Sequence, residues 1–101
     1  MNIVQAKMMQ NGKIRIASTE DHVEIGSDLH ARIAAGLIQT AKGFKSDIKI
    51  CVGDKCANAK SLMSVMILGA VSGDDVVVKA DGEDEQEAIA AIVDFLKSNL
   101  A

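Results

Sequence analysis

The sequence predicts an α+β domain in which an antiparallel sheet is covered on one face by helices. Two observations predict its elements. Apolar residues fall at every second position in residues 23–25, 48–52 and 76–80, the period of a half-buried strand. Apolar residues recur at three and four residues from 31 to 42 and again from 89 to 96, the period of one helix face. A third observation predicts how they are arranged: the order strand, helix, strand, strand, helix, strand, helix puts a hairpin between helices, which favours antiparallel pairing.

Taken in order, residues 7–16 carry Asn11-Gly12 between two short strand-like runs. That dipeptide suits a type I′ turn, so an N-terminal hairpin is expected. Residues 1–20 are accordingly read as an extension and 21–101 as the domain. Ser18-Thr19-Glu20-Asp21 is polar and turn-prone, and a strand carrying Val23 and Ile25 follows, ending at Gly26-Ser27-Asp28. Ala34, Leu37, Ile38 and Ala41 define the apolar face of the first helix, which Gly43 stops. Ile48, Ile50 and Val52 form a strand that turns at Gly53-Asp54. Ser61 is suited to capping a two-turn helix that runs to Leu68 and is closed by Gly69. Val76, Val78 and Ala80 give another strand. Ile89, Ile92, Val93 and Leu96 give the last helix, opened by Glu83, Asp84, Glu85 and Glu87, whose charges suit a helix amino terminus.

The composition bounds function. With 101 residues, 49% of them hydrophobic and 25% charged, the chain has the material of one globular domain. No apolar run approaches the ~18 residues of a membrane span, so membrane insertion is not expected. A formal charge of -3 argues against nucleic acid as a partner. Phe44 and Phe95 are the aromatic residues, so recognition must use aliphatic, methionine or polar surfaces. The start lacks the features of a signal peptide, which makes the cytoplasm the expected location. A four-ligand zinc site would need Cys51, Cys56, His22 and His30 to converge, so neither metal nor cofactor is expected.

The informative segment is Asp28-Leu29-His30-Ala31-Arg32-Ile33. His30 stands at a loop-to-helix boundary with Arg32 two positions on. A helix start leaves backbone N–H groups unpaired and carries partial positive charge. An anion attached to the imidazole would therefore be held by amides and by the guanidinium. Neutral imidazole is a competent nucleophile near physiological pH. His30 is thus either a phosphoryl acceptor or a plain helix cap, and spacing alone leaves both open.

Four separated segments resemble one known family, the HPr phosphocarriers of the phosphoenolpyruvate-dependent sugar phosphotransferase system. Leu29-His30-Ala31-Arg32 resembles the active-site signature, and Phe44-Lys45-Ser46-Asp47-Ile48 the helix-to-strand passage. Asn58-Ala59-Lys60-Ser61-Leu62-Met63, with Val65, Met66, Leu68 and Gly69, is similar to the regulatory-serine segment, and residues 80–85 to the last strand-to-helix junction. The resemblance covers about residues 22–98 and implies an open-faced β-sandwich, a four-stranded antiparallel sheet with three helices on one face. It implies that His30 accepts phosphate from enzyme I and donates it to sugar-specific IIA proteins, with Arg32 neutralising the charge. The protein would be a carrier rather than an enzyme. Ser61 would be the target of an HPr kinase, after which the carrier serves a catabolite-control transcription factor. Leu62, Met63 and Met66 would contact partners, with Val65 and Leu68 in the core, and methionine suits a surface that must fit several partners.

Two positions depart from the family pattern, which has glycine at Asp28 and proline at Ile33. A carboxylate at position 28 would repel a phosphorylated His30 unless it turns away or caps the helix. These departures leave a second reading, a regulatory binding module that acts through phosphorylated Ser61 with a vestigial His30. A third is an interaction domain that pairs through its N-terminal hairpin. Finally, the Gly53-Asp54 turn sets Cys51 opposite Cys56 in a non-hydrogen-bonded pair on the face away from Ile48 and Ile50. Two free, reactive thiols with no part in phosphotransfer are expected there.

Overall fold

The computed structural model describes residues 19–100, in the order β1 (Thr19–Glu24), α1 (Ala31–Lys42), β2 (Asp47–Val52), β3 (Lys55–Asn58), α2 (Leu62–Leu68), β4 (Asp75–Asp81) and α3 (Glu85–Leu100). The strands lie in the order β1-β4-β2-β3, and every pairing is antiparallel. The α+β expectation is met, with an open sheet and three helices. Ile48 and Ile50 of β2 and Val76, Val78 and Ala80 of β4 are buried in one core with Leu37 and Ile38 of α1 and Ile92 and Leu96 of α3. Glu20, His22, Glu24, Asp47 and Lys49 alternate with the inward positions and remain exposed. Helices α1 and α3 approach closely at Gly36, where a Cβ would stand 3.0 Å from ring carbons of Phe95.

Three expectations need comment. The hairpin expected in residues 7–16 lies outside the described residues. The polar stretch read as a turn is strand from Thr19 onward, paired Thr19↔Ala80 and Glu20↔Lys79. An edge strand needs few apolar side chains, because backbone bonds to β4 hold it while its polar side chains meet solvent.

The third concerns the cysteines. The turn sets the register as expected, with Val52 opposite Lys55 and Cys51 opposite Cys56. The thiols are not free, however, because the two residues form a disulfide. Their Cα atoms stand 4.0 Å apart, and even the ~4.5 Å of an average non-hydrogen-bonded pair lies within the ~4.4–6.8 Å span that disulfides usually bridge. Cys51, on an interior strand, is 2% exposed, whereas Cys56, on the edge strand, is exposed.

The passage from α1 to β2 is locked onto the start of α3. Asp84 Oδ2 accepts from Lys45 N at 2.8 Å, and its Oδ1 accepts from Ser46 N at 2.9 Å and Ser46 Oγ at 2.5 Å. The Ser46 hydroxyl and then the Lys45 amide hold the Asp84 carboxyl below its usual pKa. Glu85 Oε1 accepts from Gly82 N at 3.1 Å. Gly82 passes so close to this lock that a Cβ on it would lie 2.5 Å from Ser46 Oγ and 2.6 Å from Ser46 Cα. Gly82→Ala is therefore expected to lose about 1–3 kcal/mol of stability by overpacking, measured by denaturant unfolding.

On the open face, His22 Nδ1 lies 3.0 Å from Asp75 Oδ2 and Nε2 lies 3.5 Å from Glu20 Oε2. The Asp75 hydrogen bond raises the His22 pKa above its ordinary 6.5, desolvation opposes it, and the charges of Asp75 and Glu20 add to the rise. The folded state thus binds the proton more tightly than the unfolded chain. This contribution to stability is complete below about pH 6.5 and is lost as pH rises through the folded value. Melting temperatures across that window are expected to fall less with rising pH in His22→Gln than in the parent.

Candidate functional site at the start of α1

His30 is the N-cap of α1, with extended backbone angles (φ -91°, ψ 175°), and its side chain makes no capping bond. The helix begins where Ala34 N donates to His30 O at 2.9 Å. Leu29 is buried while His30, Ala31 and Arg32 are exposed, so the loop is anchored by one side chain and presents the next to solvent. The first turn of α1 holds no acidic residue. Its leading N–H groups carry partial positive charge beside the exposed His30 and Arg32. Ile33 is half-buried and packs on the core, which gives the first turn an apolar anchor.

The loop before His30 is fastened to the loop after α2. Ile25 N donates to Asp74 O at 3.0 Å, Gly73 N to Ile25 O at 2.8 Å, and Leu29 N to Ala70 O at 3.0 Å. Asp28 joins this splice: its Oδ1 accepts from Ser72 N at 2.9 Å, while Ser72 Oγ donates to Gly26 O at 3.0 Å. The carboxylate is thus engaged by the neighbouring loop rather than by the amino end of α1. Gly26 N also donates to Leu100 O at 2.5 Å, which brings the end of α3 to the same place.

Ser61 is the half-buried N-cap of α2 and accepts from Ser64 N at 3.3 Å. Asn58 supports the cap from β3. Its N donates to Ser64 Oγ at 2.9 Å, its Oδ1 accepts from Lys60 N at 2.9 Å, and its carbonyl accepts from Ser61 N at 3.0 Å. Gly69 closes the helix in the left-handed region at φ 63°, a conformation that favours glycine. Val65 is fully buried and Leu68 packs against the core, whereas Met63 is 71% exposed, and Leu62 and Met66 also face solvent. Ile67, at 77%, and Val71 extend this apolar surface. Sequence reasoning missed both, although Ile67 stands four residues after Met63, the spacing that signals a shared helix face.

The structure joins His30 to this surface through Leu29 and Ala70 and sets Ser61 at the other end of α2. Seven residues of helix span about 10 Å. A model of the PTS HPr component phosphorylation site matches residues 17–98. The chain belongs to the HPr family.

It is similar to HPr-C-His from Thermoanaerobacter tengcongensis, with 45% identity, a TM-score of 0.75, and coverage of 79% of this chain and 92% of that one. It is similar to phosphocarrier protein HPr from Bacillus anthracis str. Ames, with 33% identity, a TM-score of 0.74, and coverage of 79% and 98%. It also resembles Crh, the Bacillus subtilis catabolite repression HPr, with 37% identity, a TM-score of 0.66, and coverage of 78% and 94%.

Within this HPr domain, Asp28→Ala leaves the exposed Ser72 N to water in place of its charged acceptor and is expected to cost about 0.5–1.5 kcal/mol. Asp28→Asn, which keeps a carbonyl oxygen, should lose less. Amide exchange at Ser72 and denaturant unfolding of the two variants measure the difference.

Proposed function

We propose that the chain is a phosphocarrier in which His30 accepts a phosphoryl group from enzyme I and passes it to sugar-specific IIA proteins. The observation that carries this reading is an exposed, uncapping histidine at a helix start in an HPr-family chain. A ring nitrogen of neutral His30 attacks phosphorus as the bond to the enzyme I donor breaks. The first-turn amides of α1 and Arg32 then face the transferred oxygens. The same displacement, with His30 as leaving group, loads the acceptor. Leu62, Met63 and Met66 provide the surface on which partners dock, and the working compartment is the cytoplasm.

The likeness to Crh favours a second reading, in which phosphorylation of Ser61 by an HPr kinase turns the domain into a partner of a catabolite-control transcription factor. Phosphoenolpyruvate and enzyme I are expected to add one acid-labile phosphate to the parent and none to His30→Ala, read by intact mass. Arg32→Ala should slow labelling roughly tenfold or more with little change in unfolding. A parent that takes no label while HPr kinase adds one acid-stable phosphate at Ser61 would support the regulatory reading instead.

A further inference from the structure

The Cys51–Cys56 disulfide lies outside the phosphoryl site, yet it bears directly on α2. Among the described residues β3 has one strand neighbour, β2, and is only four residues long. Asn58, its last residue, makes the bonds to Lys60, Ser61 and Ser64 that begin α2. Helix α2 has seven residues, too few to persist without such support. An open surface groove lined by Lys55, Cys56, Ser64, Ile67 and Leu68 runs between β3 and α2. The disulfide therefore fastens the strand from which α2 hangs.

We propose that this disulfide is a redox-controlled clamp, opened by a dithiol reductant, that holds α2 in its capped form. This rests on the reading of α2 as the docking surface and on a reducing compartment, where a disulfide, when present, is usually transient and catalytic or redox-sensing. The exposed Cys56 Sγ is the sulfur open to attack. A reductant thiolate bonds to it, the S–S bond breaks, and Cys51 leaves as thiolate and takes a proton. The second reductant sulfur then attacks the first, releases Cys56 as a thiol and closes a disulfide in the reductant. Two electrons and two protons pass to the protein. Without the cross-link, β3 can part from β2 as an unconstrained loop and take Asn58 with it.

The test is amide exchange on the whole chain, oxidised and in dithiothreitol, with Cys51→Ala/Cys56→Ala as a permanently unlinked form. Reduction should speed exchange at Ser61, Ser64 and Val65 about tenfold, leave Val78 and Ile92 unchanged, and slow enzyme I-dependent labelling. The double variant should match the reduced parent. Equal protection of α2 in both redox states overturns the clamp, and so does equal loss of protection everywhere. A bond that resists dithiothreitol in the folded chain also overturns it. If α2 exchange responds while neither form takes label, the clamp stands and the carrier reading fails.

Discussion

The chemical end of this molecule depends on the hydrogen bonds between segments 25–29 and 70–74. Neither segment is helix or strand, and each would otherwise need water for its backbone groups. Joined as Ile25 to Asp74 and Gly73, Leu29 to Ala70, and Asp28 to Ser72, they satisfy one another. The same splice fixes the start of α1 against the end of α2, and Gly26 ties in the end of α3. Three helices thus meet at one pole of the sheet, where the residue before His30 is bonded to Ala70, just beyond the end of α2. Asp28, which reads in the sequence as a charge set against phosphorylation, is in the fold a member of this splice.

Two of the four family-like segments do no chemistry of this kind. Residues 44–48 and 80–85, far apart in sequence, meet in the Ser46–Asp84 lock with Gly82 pressed against it. Lys60 Nζ donates to Phe44 O at 2.7 Å and ties the segment before α2 to the same region. The resemblance is specific because it samples two independent constraints, a fold-closing contact and an exposed histidine at a helix start, that chance would rarely satisfy together.

The strands that bury one face were legible because apolar residues recur at every second position: Val76, Val78 and Ala80 are all buried, with the apolar Val77 between them only half-buried. The helices were legible through Ala34, Leu37, Ile38 and Ala41 in α1 and Ile89, Ile92, Val93 and Leu96 in α3, all buried. The start of β1 was not, because Thr19, Glu20 and Asp21 owe their extended form to β4 rather than to their own side chains. The cysteine register followed from Gly53-Asp54, but the bond did not, because facing thiols can be free or joined at this spacing and the expectation of free thiols came from a reducing compartment rather than from geometry. The exposure of His30 followed from its loop-to-helix position, whereas that of Met63 and Met66 followed from the family resemblance rather than from helix spacing. The partner of Asp28 could not be read from position, because Ser72 lies 44 residues away.

Helix α2 shows how the fold reconciles an exposed apolar surface with stability. Its inward anchors are Val65 and Leu68, so burial contributes little and the ends must hold it. Ser61 caps one end, Gly69 closes the other, and Asn58 braces the first turn. A phosphate on Ser61 would keep acceptor oxygens at the position where the hydroxyl now meets Ser64 N, and its charge would suit a helix amino terminus. Such a modification would leave α2 formed while placing about two negative charges beside Leu62 and Met63. Under the regulatory reading, partner choice would then change through the electrostatics of an intact surface, whereas the disulfide would act on whether that surface is held in place at all.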